Sequence, residues 1–301
     1  MSLAGLRLRN PVMLAAGTAG YGREVSGVID LDALGGLVTK AVSVMPRPGA
    51  AAPRVAEFRG GMINAIGLAN PGLEAVASDA LPWLAANTRA RVLVNVVGNH
   101  VDDFKEVVSR LDAVAGKDGF ELNVSCPNVK AGGMEFGADP GALTAVVGGA
   151  REVTSLPIFV KLSPTLADIV ESARIALGAG ADGISLTNTL PGLVVDVVRR
   201  RPAVGFGTGG VSGAALRPVA VLATWKVFQA TGAPIIGVGG ISTADDALQF
   251  MLAGARAVAI GTAALRDPRA PERIVRDLDR WANRRGVRSL EEIVGALEWP
   301  S

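Results

Sequence analysis

Pro234-Ile235-Ile236-Gly237-Val238-Gly239-Gly240 and, after a helical run over 243–253, Ala257-Val258-Ala259-Ile260-Gly261-Thr262 form the stretch whose reading decides the fold. Each apolar run lacks polar alternation, as expected of a parallel strand covered on both faces. Each also ends in glycine, which lets backbone N–H groups approach a phosphate closely. Paired loops after the last two strands are where a (β/α)8 barrel usually holds a phosphate. Tight turns alone are the plainer reading, but the pattern occurs at both sites. A doubly wound open sheet, the alternative, would carry such glycines after its first strand, and here they come late.

Working outward, short apolar runs alternate with helical patterns along nearly the whole chain. Strands are expected at 11–15, 36–42, 91–97, 120–125, 157–162 and 183–188, besides 234–238 and 257–260. Helices are expected at 102–115, 139–153, 166–179, 215–230, 243–253 and 270–285, with Asp102, Ser242 and Thr243 placed as N-caps. Eight such strands predict an α/β (β/α)8 TIM barrel, one domain spanning 1–301. Two stretches interrupt the alternation. Residues 43–63, with Pro46, Pro48, Pro53 and Gly60-Gly61, predict a loop and small hairpin above strand two. Residues 127–138 are long and glycine-rich for a βα connection, which suits a lid after strand four, though a surface excursion would have the same composition.

Composition narrows the function. A hydrophobic fraction of 49% and a charged fraction of 19% suit a folded domain with a sizeable core. The net charge of +2 implies no strong field for nucleic acid or an anionic membrane. No apolar run is long enough for a membrane span, and the first strand begins by Pro11, which leaves no room for a leader or anchor; a cytoplasmic protein is expected.

A barrel's chemistry gathers at the C-terminal ends of its strands. Those ends carry Gly17 and Thr18, Lys40, Asn95, Asn123 with Cys126, Lys161, Asn188 with Thr189, Gly239-Gly240, and Gly261-Thr262. Histidine and carboxylate clusters are missing from this set, so no metal site is expected. Cys126, the only cysteine, can serve as a base or nucleophile, or simply as a small buried hydrophobe. With only six lysines in the chain, Lys40 and Lys161 at the ends of apolar runs each call for an anion to face, unless both snorkel to the rim. A flavin fits: glycine loops for its phosphate, a lysine for charge on the reduced ring, amides for its edges. The lone histidine, His100, reads as a surface residue, and the arginines of the last helix as a solvated face. Gly205-Phe206-Gly207-Thr208-Gly209-Gly210 matches G-x-G-x-x-G but follows no strand, so it is a decoy as a dinucleotide fingerprint.

Asn64-Ala65-Ile66-Gly67-Leu68, Glu121-Leu122-Asn123-Val124-Ser125-Cys126-Pro127-Asn128, Val160-Lys161-Leu162-Ser163, Asn188-Thr189 and Gly237-Val238-Gly239-Gly240 resemble the motifs of dihydroorotate dehydrogenases, and the likeness covers nearly the whole chain. The resemblance implies an FMN-binding barrel that oxidises dihydroorotate to orotate in pyrimidine synthesis. It implies Cys126 as the base for the C5 proton, with the C6 hydride passing to the flavin. Lys40, Asn64, Asn123, Asn188, Thr189 and the backbone of Ala65, Ile66, Gly67 and Leu68 would contact substrate. Thr18, Lys40, Ala41, Asn95, Asn123, Lys161, Thr187, Gly213, Gly239, Gly240, Gly261 and Thr262 would surround FMN. Thr187 departs from the larger aliphatic residue expected there.

The quinone-linked class, which carries serine as the base and an N-terminal membrane extension, resembles this chain less. Asn64–Leu68 and Asn128-Val129-Lys130-Ala131-Gly132-Gly133-Met134 look like the NAD-linked form, a homodimeric core within a heterotetramer. That form pairs with a subunit holding FAD and a [2Fe–2S] cluster, which one cysteine cannot ligate. The fumarate-linked homodimer is the runner-up. A flavin enzyme acting on uracil or thymine and an idle barrel scaffold are the other readings.

Overall fold

The computed structural model describes residues 1–125, 127–128 and 134–300; Cys126, residues 129–133 and Ser301 lie outside the described residues. Eight parallel strands close into a barrel: β1 (Val12–Leu14), β2 (Gly36–Val38), β3 (Arg91–Val96), β4 (Gly119–Asn123), β5 (Ile158–Leu162), β6 (Gly183–Leu186), β7 (Ile235–Val238) and β8 (Ala257–Ile260), with β8 pairing back onto β1. Each strand falls within a residue or two of its expected place except β2, which was expected to run to 42 and ends at Val38. The agreement follows from burial on both faces, which leaves each strand largely apolar, with polar residues such as Asn95, Glu121, Asn123 and Lys161 near the C-terminal ends of β3, β4 and β5.

Helices cover the outside: α1 (73–87), α2 (Val101–Asp112), α3 (Pro140–Arg151), α4 (Ile169–Gly178), α5 (Arg217–Thr231), α6 (Ala244–Leu252), α7 (Thr262–Arg266) and α8 (Ala270–Arg285). Sequence reasoning missed α1 and α7. Pro82 lies inside α1 and reads as a breaker, since it has no N–H to donate. The helix accommodates it with a π turn at Val76–Ala80 just upstream, where the hydrogen-bond register shifts.

Two of the three expected caps need correction. The residue before α2 is His100, not Asp102, and the Asp103 carboxylate accepts from the backbone N–H groups of Asn99 and His100. Thr243 caps α6 as expected, accepting from the Asp246 N–H, while Ser242 instead donates its hydroxyl to the Asp246 carboxylate.

The apolar core lies in two layers. The larger fills the space between barrel and helices. The smaller fills the barrel with Met13, Val38, Leu93, Phe159, Ile236 and Ala257, closed underneath by Leu3 and Leu8 of the N-terminal hairpin. Above the barrel's C-terminal mouth lies a four-stranded antiparallel sheet made of Val55–Phe58, Gly61–Asn64, Leu190–Gly192 and Gly209–Ser212. The hairpin predicted in 43–63 supplies its first two strands. The other two come from the β6–α5 connection, including the glycine string set aside as a decoy. Those glycines have a packing reason: a Cβ on Gly209 would lie 2.4 Å from the Asn64 carbonyl oxygen. The stretch expected to form a lid is described only in part, where Pro127–Asn128 pairs antiparallel with Met134–Glu135.

Candidate active site

Strand parity aims the functional side chains. Successive residues of a strand point to opposite faces, so Glu121 and Asn123 of β4 share the barrel interior, as do Phe159 and Lys161 of β5. Register then sets their neighbours: Asn95 lies opposite Glu121, and Lys161 opposite both Asn123 and Ser185. A polar layer thus rests on the apolar floor formed by Leu93, Phe159 and Ile236.

Glu121 organises this layer, and sequence reasoning passed over it. It is 1% exposed, its Oε1 accepts a 2.7 Å hydrogen bond from Asn95 Nδ2, and Lys161 Nζ lies 3.8 Å from the same oxygen. The anion expected to face Lys161 is therefore supplied by the chain itself. A buried carboxylate without partners would be strongly destabilising, and here an ammonium and an amide compensate it. The signal was present in Gly119-Phe120-Glu121-Leu122-Asn123, a charged residue within an apolar strand and in phase with Asn123.

Around the rim, Asn188 Nδ2 donates to Asn123 Oδ1 at 3.2 Å, and Asn188 Oδ1 accepts from the Thr189 N–H at 2.9 Å. The backbone after β6 is tied down on both sides, Thr187 N–H to the Val238 carbonyl and Asn188 N–H to the Leu162 carbonyl. Asn64 Nδ2 donates to the Gly210 carbonyl, which fixes that side chain at the edge of the upper sheet. Gly67 and Leu68 both adopt positive φ, 69° and 56°. Leucine in that region is strained, and such strain gathers at ligand-binding turns. The Lys40 N–H donates to the Gly20 carbonyl, and Tyr21 Oη donates to the Ala41 carbonyl. Burial, with Glu24 nearby, holds the Tyr21 phenol protonated by raising its pKa.

The glycine loops meet at one side of the mouth. Gly213, Gly239 and Gly240 all have positive φ, and a Cβ on Gly240 would lie 2.7 Å from the Gly213 oxygen and 2.9 Å from the Arg217 nitrogen. Thr262 Oγ1 donates to Ser212 Oγ, and a Cβ on Gly261 would come within 3.8 Å of Thr18 Oγ1. The Arg217 guanidinium pairs with Asp246, joining the N-terminal turns of α5 and α6. Burial pushes the Asp246 carboxyl up, but bonds from Ser242 and Thr243 and the Arg217 charge bring it below the usual carboxylate range.

The structure thus brings Asn95, Asn123, Lys161, Thr187 and Asn188 to adjoining strand ends, with Gly213, Gly239, Gly240, Gly261 and Thr262 in the neighbouring loops. Ser185, Ser212 and Glu121 join them without having been singled out. Cys126 lies outside the described residues. Among the described residues no group of three or more His, Cys, Asp or Glu is placed to hold a metal ion, and no helix is long and apolar enough to cross a membrane.

These features define a (β/α)8 barrel whose strand ends carry amides, a buried lysine–glutamate pair and neighbouring glycine loops. The family model for dihydroorotate dehydrogenase matches residues 1–281, and the chain belongs to that family. Similar proteins include one from Desulforudis audaxviator, 51% identical over 296 residues that cover 98% of this chain and 96% of the relative. Another, from Pelobacter propionicus, is 48% identical, covering 99% of this chain and 98% of its own. A third, from Geobacter sp. strain M21, is 47% identical with 99% and 97% covered. All three are named dihydroorotate dehydrogenase B (NAD(+)), catalytic subunit.

Proposed function

We propose that this chain is the catalytic subunit of an NAD-linked dihydroorotate dehydrogenase, oxidising (S)-dihydroorotate to orotate in pyrimidine biosynthesis. The observation that carries the reading is the convergence of Asn95, Asn123, Lys161 and Asn188 on one mouth, in a chain whose near full-length relatives bear that name.

The residues at the mouth fit FMN. Ser185 Oγ and Thr187 Oγ1 are buried without a hydrogen-bond partner among the described residues, an expensive arrangement that a polar ligand would relieve. The crowded backbone at Gly213, Gly239 and Gly240 leaves no room for side chains and suits close approach of a phosphate. Gly261 and Thr262 with Thr18 would complete the phosphate end, while Lys40, Ala41, Asn95, Asn123, Lys161 and Thr187 would hold the ring. FMN supplies a two-electron acceptor for the hydride from substrate C6.

The chain's own residues do the rest. Cys126 takes the C5 proton as the base, a role for which a thiol of ordinary pKa about 8.5 needs activation or close positioning. Asn123, Asn188 and Thr189 present amide and hydroxyl groups to the pyrimidine ring, and Asn64 with the Ala65–Leu68 backbone holds its other edge. Lys40 contributes positive charge toward the substrate carboxylate. A partner subunit holding FAD and a [2Fe–2S] cluster would supply the route from the flavin to NAD+, since a chain with one cysteine lacks the thiolates for a cluster. A homodimeric core is supported by the exposed apolar stretch around the Val195–Asp196/Arg201–Pro202 hairpin, where Val197 is 81% and Val198 89% exposed.

The test is the anaerobic visible spectrum of the purified chain before and after dihydroorotate. Bleaching of a flavin band is the expected result. A band that yields only to dithionite would leave the flavin and remove the substrate. Reoxidation of the isolated chain by fumarate would favour the fumarate-linked form instead.

A further inference from the structure

Among the described residues Glu121 is the most deeply buried ionisable group at the mouth, yet neither substrate nor cofactor binding calls on it directly. A carboxylate only accepts hydrogen bonds, so its contact with Asn95 fixes which way that amide is turned. Nδ2 is committed to Glu121 at 2.7 Å, and Oδ1 remains as the group's acceptor. An acceptor suits the imide N–H of a flavin ring, whereas a freely rotating amide would offer either end. Lys161 is held in the same way. The residue is 7% exposed, its ammonium stands 3.8 Å from Glu121 Oε1, and it lies opposite Ser185 on β6, whose hydroxyl has no partner among the described residues. The charge that Lys161 offers a ligand is therefore partly cancelled by a fixed carboxylate behind it, in a site where low dielectric makes such charges count.

We propose that Glu121 is a positioning residue of the mouth: by orienting Asn95 and compensating Lys161, it sets the reduction potential of the flavin bound above them. The proposal rests on the FMN reading. Reduction adds negative charge to the ring, so the net positive field at the mouth decides how readily electrons are accepted. Removing the carboxylate charge leaves the Lys161 ammonium uncompensated and raises the potential. The present pair thus keeps the flavin poised lower, where it gives electrons up more easily to the next carrier.

The experiment measures the FMN midpoint potential by dye equilibration, together with FMN affinity of the apoprotein, for the unaltered chain, Glu121→Gln, Lys161→Met and the double variant. Gln keeps the size and an acceptor for Asn95 while removing the charge. We expect Glu121→Gln to retain FMN and favour its reduction at least tenfold, about 30 mV for a two-electron couple. The shift should shrink in the Lys161→Met background, where a buried carboxyl left without its counter-charge is neutralised by a proton and has little charge left to remove. If Glu121→Gln does not fold, Glu121→Asp draws the carboxylate back by one methylene and should give a smaller shift of the same sign. Normal FMN binding with an unchanged potential, or a shift undiminished without Lys161, overturns the role of Glu121 in compensating Lys161. Failure of the unaltered chain to take up FMN overturns the flavin reading and this proposal together.

Discussion

The Asn188 side-chain amide donates to Asn123 Oδ1 at 3.2 Å, joining the ends of β6 and β4 across the intervening β5. Each amide is thereby held with its remaining polar atoms aimed by its neighbour, and Asn188 is further fixed by the Thr189 N–H. Asn188→Ala should weaken orotate binding by roughly 10–100-fold, the value of one hydrogen bond to a charged or strongly polar ligand. FMN content should stay the same. Titration of the flavin spectrum with orotate checks this, and unchanged affinity would remove Asn188 from the substrate contacts.

Cys126→Ala separates the base from the cofactor site. It should bind FMN normally and be reduced by dihydroorotate about 10²–10⁴-fold more slowly, the usual value of a positioned general base. Stopped-flow reduction reads it directly. Wild-type rates in this variant would assign the proton to another group.

Gly240→Ala tests the glycine loops. At φ +73°, and with its new methyl 2.7 Å from the Gly213 oxygen, the substitution should cost about 1–3 kcal/mol and lower FMN affinity. Denaturant unfolding gives the first quantity and fluorescence of released FMN the second. Full stability would mean the loop has room that its geometry does not suggest.

Asp32 supplies a pH signature far from the mouth. The Arg89 N–H, the Thr88 hydroxyl and the Arg89 side chain hold its carboxyl down to about 2. A depressed acid stabilises the fold when ionised, above its ordinary value near 4, and that stability is lost as pH falls toward 2. Asp32→Asn should therefore lower stability near neutrality and flatten the acid limb of the stability profile between about pH 4 and 2. Unfolding midpoints across that range check it, and parallel profiles for the two proteins would refute it.

The apolar hairpin makes a prediction about assembly. Val198→Glu places a charge where a side chain 89% exposed in the isolated chain would be covered in a dimer. Light scattering should show a smaller species than the unaltered chain. An unchanged mass would move the subunit interface elsewhere.

The barrel was legible in the sequence for one physical reason. Strands covered on both faces are largely apolar, so runs such as Ile235–Val238 and Ala257–Ile260 announce themselves without any knowledge of their partners. Helix α1 was not legible, because Pro82 argues against a helix locally and only a π turn reconciles it with the packing of Leu81 and Leu84. Motifs named the amides, lysines and glycines of the mouth residue by residue, since side-chain chemistry is written in the chain. They could not show that Lys161 already faces a carboxylate. That pairing depends on strand register and on which face of β4 looks inward, and both are fixed only when the barrel closes. Sequence determined which groups are present; closure of the sheet decided which of them are neighbours, because charge compensation acts through space over a few ångströms and not along the chain.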